Sequence, residues 1–299
     1  MKKIFNFLIL LVSFVLVLIL LEFLGFEFAK LPEMLKKIGI LPLLFLLLIT
    51  FLEVVIKAYR FNITLKKPLK ITKVLWPYFR ATYLSYFVPV RLLGEGVKAP
   101  IFKKHCNISY TESLASISIE RLTDMLLITI IALSAVSYIN PIISGLLLFS
   151  FIIFILIMRS ELPIKTIKKL PENKVFDFVF DYSETLNLLF NNPIKMFKVS
   201  VLTLFCWGLA FGRMWLILIL LGGNISLFNA VSASAIAYLV SLLSILPGGL
   251  VGFEGGGIAA LVLMGITKEM AMFTIFIERI FSFWLFVVIG IIIEIKNKL

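Results

Sequence analysis

Long apolar stretches alternate with short polar connections along most of the chain. Many of these stretches run for about 20 residues with almost no charge, which is the length that an α-helix needs to cross a hydrocarbon layer of roughly 30 Å. Two others are shorter and contain Gly, Pro or charged residues. The pattern predicts spans at 4–24, 38–56, 114–136, 142–158, 199–221, 229–246 and 270–294, and shorter embedded segments at 74–90 and 256–266.

The composition excludes soluble folds. Of the 299 residues, 61% are apolar and only 15% are charged, whereas about 25% of the residues in a soluble domain are charged. A chain of this size cannot bury so much apolar surface in one water-soluble core. We therefore predict an all-α polytopic integral membrane protein with about 7–8 transmembrane helices and one or more re-entrant hairpins.

The distribution of Lys and Arg predicts the topology. Basic residues concentrate on the cytoplasmic side of membrane proteins, so the formal net charge of +12 indicates a membrane face and not a nucleic-acid partner. The 25–37 loop is mixed in charge. The rule places both termini, segment 57–73 with its basic residues such as Arg60, and loop 159–198 in the cytoplasm, and Ser137–Pro141 and Gly222–Phe228 outside.

This topology requires two regions to leave one side of the membrane and return to it. Residues 74–112 start and end in the cytoplasm, and part of this region is too polar for a lipid-facing span. We predict a re-entrant hairpin there, protected by neighbouring helices. Residues 229–268 start and end outside, as a second hairpin or as one full and one short span.

An internal repeat becomes visible when the chain is shifted by 158 positions. Pro89-x-x-Leu92-x-Gly94 then falls on Pro247-x-x-Leu250-x-Gly252, and Glu120-Arg121 falls on Glu278-Arg279. Inverted repeats with Gly- and Pro-interrupted membrane segments are typical of transporters. We predict one membrane domain over 1–299, with repeats of opposite orientation at about 38–136 and 199–294.

Charged side chains inside predicted spans require an explanation, because burying one costs roughly 2.5–3.5 kcal/mol even on a gentle scale. Asp124 follows Arg121 by three positions and is expected to pair with it. Arg213 has no acidic residue nearby in the sequence, whereas Glu53 lies nearer a span end and is expected to reach the interface. A structural alternative for each Glu-Arg pair is a buried bridge that fixes helix register.

The two hairpins differ in their chemistry. In the first, Arg91 and Lys98, together with exposed loop backbone, are suited to binding a phosphate. The second contains Pro247-Gly248-Gly249 but lacks the Lys-Ser/Thr of a nucleotide-binding loop. It is expected to unwind a membrane helix, with tight helix packing through small residues as the alternative.

Other patterns limit the range of functions. Cys106 and Cys206 show no metal or disulfide spacing, and His105 is the only histidine. We therefore expect no catalytic residue, no metal and no cofactor. The segment 171–190 has helical amphipathic spacing, which fits either an interfacial helix or a helix packed on the bundle.

Together these motifs resemble the membrane region of the lysylphosphatidylglycerol synthases, a flippase-like family. Lys98 stands where this family often has Arg, and Val251 stands where Gly is common. The resemblance covers residues 5–295 and rests on Pro89-x-Arg91-x-x-Gly94-Glu95-x-x-Lys98, Glu120-Arg121-x-x-Asp124, Pro247-Gly248-Gly249-Leu250-x-x-x-Glu254 and Arg279.

The resemblance implies that this chain moves a lipid, such as an aminoacylated phospholipid or a polyprenyl-linked glycan, across the bilayer. In some relatives the region is coupled to a glycosyltransferase. We find no stretch that could form the cytosolic domain that transfers lysine, so synthase activity is not expected from this chain.

We therefore expect a flippase for a lipid with an anionic headgroup in the cytoplasmic membrane. The alternatives are a membrane partner of a separate soluble aminoacyl- or glycosyl-transferase, and an intramembrane lipid transferase. The predicted substrate-binding residues are Arg91, Glu95, Lys98, Glu120, Arg121, Asp124, Arg213, Gly248, Gly249, Glu254, Glu278 and Arg279.

Overall fold

The computed structural model describes residues 2–88, 94–137, 145 and 174–296. Within these ranges all regular secondary structure is helical. The first half contains α1 (Lys2–Phe23), α2 (Leu31–Ile38), α3 (Ile40–Thr64), α4 (Ile71–Ser85), α5 (Lys98–Cys106) and α6 (Tyr110–Ser137). The second half contains α7 (Lys174–Phe190), α8 (Pro193–Leu220), α9 (Leu227–Leu243), α10 (Gly252–Leu263), α11 (Lys268–Arg279) and α12 (Leu285–Lys296).

Among the described residues, three helices are long and apolar enough to cross a membrane: α3, α8, and the continuous helix Lys268–Glu294, in which a π-helical turn at Ile280–Trp284 joins α11 to α12. Shorter apolar helices accompany them. Large apolar side chains of α3 such as Leu41 and Phe51 are exposed, as expected for a surface that faces lipid. The helical membrane class is confirmed, while the total number of spans stays a prediction. Except for residue 145, predicted span 142–158 lies outside the described residues, as do residues 159–173 of the predicted cytoplasmic loop.

Local sequence explains how α8 begins and ends. Asn192 precedes Pro193, the first helical residue, and its side chain accepts a hydrogen bond from the Lys195 N–H at 2.9 Å. After Leu220 the chain turns through Gly222, whose φ of +93° is readily adopted only by glycine.

The chain divides into two compact units. The first comprises residues 1–54, 80–97 and 207–299, and the second comprises residues 55–79 and 98–206. Both α3 and α8 contribute residues to each unit.

In the second unit, α7 packs on α6. Leu186 and Leu189 are buried against Ala115 and Ile119, and the hydroxyl groups of Ser118 and Tyr182 lie 2.8 Å apart. Of the two interpretations of segment 171–190, the structure therefore favours a helix packed on the bundle for the described part.

In the first unit, α9 and α10 form a helical hairpin with a break at residues 244–251. The Ser244 hydroxyl donates to the Leu250 carbonyl across the break at 2.7 Å. A Cβ on Gly256 would lie 2.8 Å from Val240 Cβ, and one on Gly257 would lie 2.4 Å from Ile275 Cδ1. Unwinding at the break and close packing through glycine therefore both occur, in adjacent parts of the segment.

In this unit, the segment before α3, the turn after α8 and the start of α11 contact one another. Lys37, in the loop of mixed charge, donates to the Leu221 carbonyl at 2.8 Å, and Lys30 forms a 2.9 Å ion pair with Glu269 at the start of α11. Which side of the membrane these connections occupy stays a prediction.

Candidate functional site

In the first unit, Arg213 on α8 lies at the centre of a buried ion-pair cluster. Its Nε and Nη2 atoms donate to the two carboxylate oxygens of Glu278 on α11, at 2.9 and 2.6 Å. Its Nη1 atom donates to Glu53 on α3 at 2.7 Å and to the Thr50 hydroxyl at 3.2 Å. We call these four residues the Arg213 cluster. All three guanidinium nitrogens of Arg213 are used within it.

One prediction is wrong at this cluster, that for Glu53. Arg213 has no acidic residue nearby in the sequence, as stated above, and its acidic partners lie 160 and 65 positions away, where inspection of the neighbouring sequence could not find them. Glu53 is only 8% exposed and pairs with Arg213, so its carboxylate does not extend to the interface.

In the second unit, Arg60 on α3 forms a similar cluster. Its Nε atom donates to Glu120 Oε1 at 3.1 Å, and its Nη1 and Nη2 atoms donate to the two Asp124 oxygens at 2.5 and 3.1 Å. Nη1 also donates to the Thr203 hydroxyl of α8 at 2.8 Å. We call Arg60, Glu120, Asp124 and Thr203 the Arg60 cluster. Arg121 Nη2 lies 3.1 Å from Asp124, which confirms the predicted pair.

Arg60 was not among the predicted site residues, because segment 57–73 was expected to be a solvated connection. The structure instead continues α3 to Thr64 and buries the Arg60 side chain fully, while the side of the membrane on which this segment lies stays a prediction. Charge counting treats every basic residue after an apolar run as solvated, and it cannot distinguish one that is paired inside the bundle.

The two clusters share one pattern of hydrogen-bond donors and acceptors. In each, arginine Nε donates to the glutamate of a Glu-Arg motif and Nη1 donates to a threonine. Thr50 precedes Arg60 by ten positions, and Thr203 precedes Arg213 by ten. This Thr-x9-Arg pattern is the sequence signal that could have found Arg60. The two occurrences of this pattern are 153 positions apart in the sequence, whereas the two Glu-Arg motifs are 158 positions apart.

A third buried arginine, Arg279 on α11, lies at the break between α9 and α10. Its Nε atom donates to Glu254 on α10 at 2.6 Å, and its Nη2 atom donates to the Gly248 carbonyl at 3.2 Å. The guanidinium lies over the rings of Phe253 and Phe283, 4.4 and 5.1 Å from their centroids. We call these five residues the Arg279 site.

The Arg279 site keeps unused hydrogen-bonding capacity. Within the described part of the chain, Nη1 of Arg279 has no hydrogen-bond or ion-pair partner, and neither has the buried Oε2 atom of Glu254. One donor and one acceptor are therefore available at the broken segment, inside a predominantly apolar helical unit.

Backbone geometry holds the Gly248 carbonyl in place. Gly248 and Gly249 have φ of +62° and +72°, and a Cβ on Gly248 would lie 2.0 Å from the Phe283 ring. Val251 has φ of +66°, a conformation that is strained for a β-branched residue. This is the position where the resembling family commonly has Gly.

The first hairpin only partly matches its prediction. Arg91 lies outside the described residues. Gly94 approaches α4 closely, since a Cβ there would lie 2.5 Å from the Ser85 carbonyl oxygen, and Glu95 is half-buried at the start of a 3₁₀ turn. Lys98 is the first residue of α5 and does not lie in a loop; it is 2% exposed and its Nζ atom lies 4.7 Å from the Tyr78 ring centroid. Its role in binding a phosphate stays a prediction.

These features define a multi-pass helical membrane protein with buried arginine–carboxylate clusters and a broken helical hairpin. The family described as "Lysylphosphatidylglycerol synthase TM region" matches residues 6–290, and the chain belongs to this family.

Its relatives include membrane proteins of archaea. The chain is similar to the UPF0104 membrane protein PH1989 of Pyrococcus horikoshii, with 25% identity covering 100% of this chain and 98% of the relative. It is also similar to a UPF0104 membrane protein of Methanothermobacter thermautotrophicus, with 23% identity over 68% of each chain. No solved structure gives a significant match.

Proposed function

We propose that this protein moves a lipid or lipid-linked intermediate with an anionic headgroup across the cytoplasmic membrane, and that Arg279 binds the headgroup. Family membership supports a membrane-associated role in lipid metabolism. The proposal keeps both termini in the cytoplasm, as the distribution of basic residues predicts.

The observation that carries the proposal is the incomplete pairing of Arg279. Arginine binds phosphate through two parallel N–H groups, and Arg279 already presents Nη1 without displacing any partner. A phosphate that also accepted from Nη2 would replace only a 3.2 Å bond to a carbonyl. Arg213 offers no such donor, because Glu53 and Glu278 use its nitrogens.

Glu254 and the aromatic rings complete the proposed site. The Glu254 carboxylate neutralises Arg279 at 2.6 Å and is the group with which a lipid phosphate would compete. Phe253 and Phe283 hold the guanidinium plane by cation–π contact. The break at Pro247-Gly248-Gly249 exposes backbone polar groups inside a bundle, a feature that transporters place at substrate sites.

The test is lipid movement in vesicles reconstituted with the purified protein. Phosphatidylglycerol labelled on an acyl chain is placed in both leaflets, and a membrane-impermeant quencher measures how fast inner-leaflet label reaches the outside. We expect the wild type to accelerate movement and Arg279→Gln to slow it at least about tenfold, equivalent to ~1.4 kcal/mol.

Arg80→Gln is the matched control, since it removes an arginine from a different ion pair, the 2.6 Å contact with Glu294. It should leave the rate unchanged. A folded Arg279→Gln variant as fast as wild type would exclude this site. A wild-type protein that moves no anionic lipid would overturn the function itself and favour a partner of a separate transferase.

A further inference from the structure

One face of α6 carries polar groups that no described element satisfies. The hydroxyl oxygens of Ser113 and Ser116 and the Oε2 atom of Glu120 are buried and have no hydrogen-bond partner in the described structure. All three residues are 0% exposed. Positions separated by three and by four lie on one side of an α-helix, so the three groups form a continuous row.

Several other hydroxyl groups of this helix have hydrogen-bond partners. Thr123 and Ser134 donate to backbone carbonyls of the preceding turn, and Ser118 pairs with Tyr182. Each buried polar group left without a partner costs about 1–3 kcal/mol. Two consecutive buried serines leading to a carboxylate therefore indicate a function in which these groups bind water or protons.

The row starts at an accessible surface. Ser109 and Tyr110, at the beginning of α6, are exposed, and Ser113 follows within the first turn. Seven residues separate Ser113 from Glu120, which corresponds to about 10 Å along the helix axis.

Glu120 differs from Glu278, its counterpart in the other cluster. Glu278 uses both carboxylate oxygens for Arg213, whereas Glu120 uses only Oε1, for a 3.1 Å bond from Arg60. Asp124 accepts two hydrogen bonds from Arg60 and forms an ion pair with Arg121. Asp124 therefore makes the main ion pair with Arg60, and the Oε2 atom of Glu120 keeps an unused lone pair in the described structure.

We propose that Glu120 is a proton-binding site, reached from the start of α6 along the row formed by Ser113 and Ser116. A proton from bulk water adds to Oε2, and no other bond needs to break. Among the described residues, the charged and titratable groups on the elements packed around it include Arg60 of α3, Arg121 and Asp124 of α6, Tyr182 of α7 and Cys206 of α8. This proposal does not depend on lipid transport.

Infrared difference spectroscopy of the protein in lipid vesicles tests it directly. A protonated carboxylic acid has a carbonyl stretch that its carboxylate lacks. Because acidification protonates accessible carboxylates as well, the diagnostic band in the wild type is the acid-induced carbonyl stretch that shifts only slowly after H2O is replaced by D2O, as expected for a buried acid. We expect Glu120→Gln to remove the band. Glu278→Gln and Glu112→Gln, which change the counterpart and a more accessible carboxylate of the same helix, should retain it.

The serines provide a second test that keeps all charges. In Ser113→Ala/Ser116→Ala, exchange of the acid proton for deuterium should slow by about tenfold or more, whereas Ser118→Ala should exchange like wild type. Absence of the band in the wild type, or its persistence in Glu120→Gln, would overturn the proposal. If Glu120→Gln does not fold, Ser113→Ala/Ser116→Ala is the deciding variant. A rate of proton–deuterium exchange equal to that of the wild type in this variant would refute the proton path.

Discussion

Two consecutive residues of α11, Glu278 and Arg279, belong to very different arrangements. Glu278 closes the Arg213 cluster, in which three guanidinium nitrogens make four hydrogen bonds, three of them to carboxylates. Arg279 has one carboxylate and one carbonyl partner and two aromatic neighbours. The difference shows that burial alone does not identify a binding arginine. The number of unused donors distinguishes a guanidinium that holds helices together from one that can take a ligand.

The largest effect is expected for Arg213→Ala. It leaves two buried carboxylates without their cation, and removing one partner of a buried ion pair costs about 3–5 kcal/mol. Arg279→Ala leaves one buried carboxylate unpaired instead of two and should fall at the lower end of this range, about 3 kcal/mol. Thermal or denaturant unfolding in detergent micelles measures both. If the two variants unfold alike, the contrast drawn above is incorrect.

A smaller effect is expected for Gly248→Ala, which changes the Arg279 site and leaves the Arg213 cluster intact. The new methyl group would lie 2.0 Å from the Phe283 ring, at a backbone φ of +62° that alanine disfavours. We expect a loss of about 2–3 kcal/mol in the free energy of unfolding and slower lipid movement. Phe283→Leu in the same chain should recover part of the stability, while no recovery would assign the loss to backbone strain alone.

Part of this arrangement was predictable and part was not. The apolar runs, the break at Pro247-Gly248-Gly249 and the Arg121–Asp124 pair all follow from spacings of a few residues. The partners of Arg213 and the burial of Arg60 depend on helices distant in sequence. A hydropathy scale assigns each residue a value from its type alone, so it does not account for a charge that is neutralised by a residue of another helix. The glycine-like conformation of Val251 could be suspected only from the resembling family.

The two threonines of the Thr-x9-Arg pattern provide a third test. A hydrogen bond to a charged group contributes about 1.5–3 kcal/mol, and valine replaces threonine at nearly equal volume. We expect Thr50→Val and Thr203→Val to lower the free energy of unfolding by similar amounts, about 1.5 kcal/mol each. Thr274→Val is the control, because the Thr274 hydroxyl donates only to a backbone carbonyl. A loss for Thr50→Val without one for Thr203→Val would show that the two clusters are not energetically equivalent.

The smallest effect is expected for Val251→Gly, and it is stabilising. Relief of the left-handed conformation gains about 1–2 kcal/mol, offset by the extra chain entropy of glycine, about 0.5–1 kcal/mol. A net gain of a few tenths to 1 kcal/mol should appear in the same unfolding assay. Val240→Gly, in a regular part of α9, should instead destabilise the protein. A destabilised Val251→Gly variant would indicate that the valine side chain packs more favourably than its backbone is strained.

The exchange of hydrogen bonds between α3 and α8 makes each helix serve both clusters. Arg60 of α3 donates to Thr203 of α8, and Arg213 of α8 donates to Thr50 of α3. Each helix therefore supplies the arginine of one cluster and the threonine that accepts from the arginine of the other. A change that displaced either helix would remove a hydrogen bond from both clusters at once.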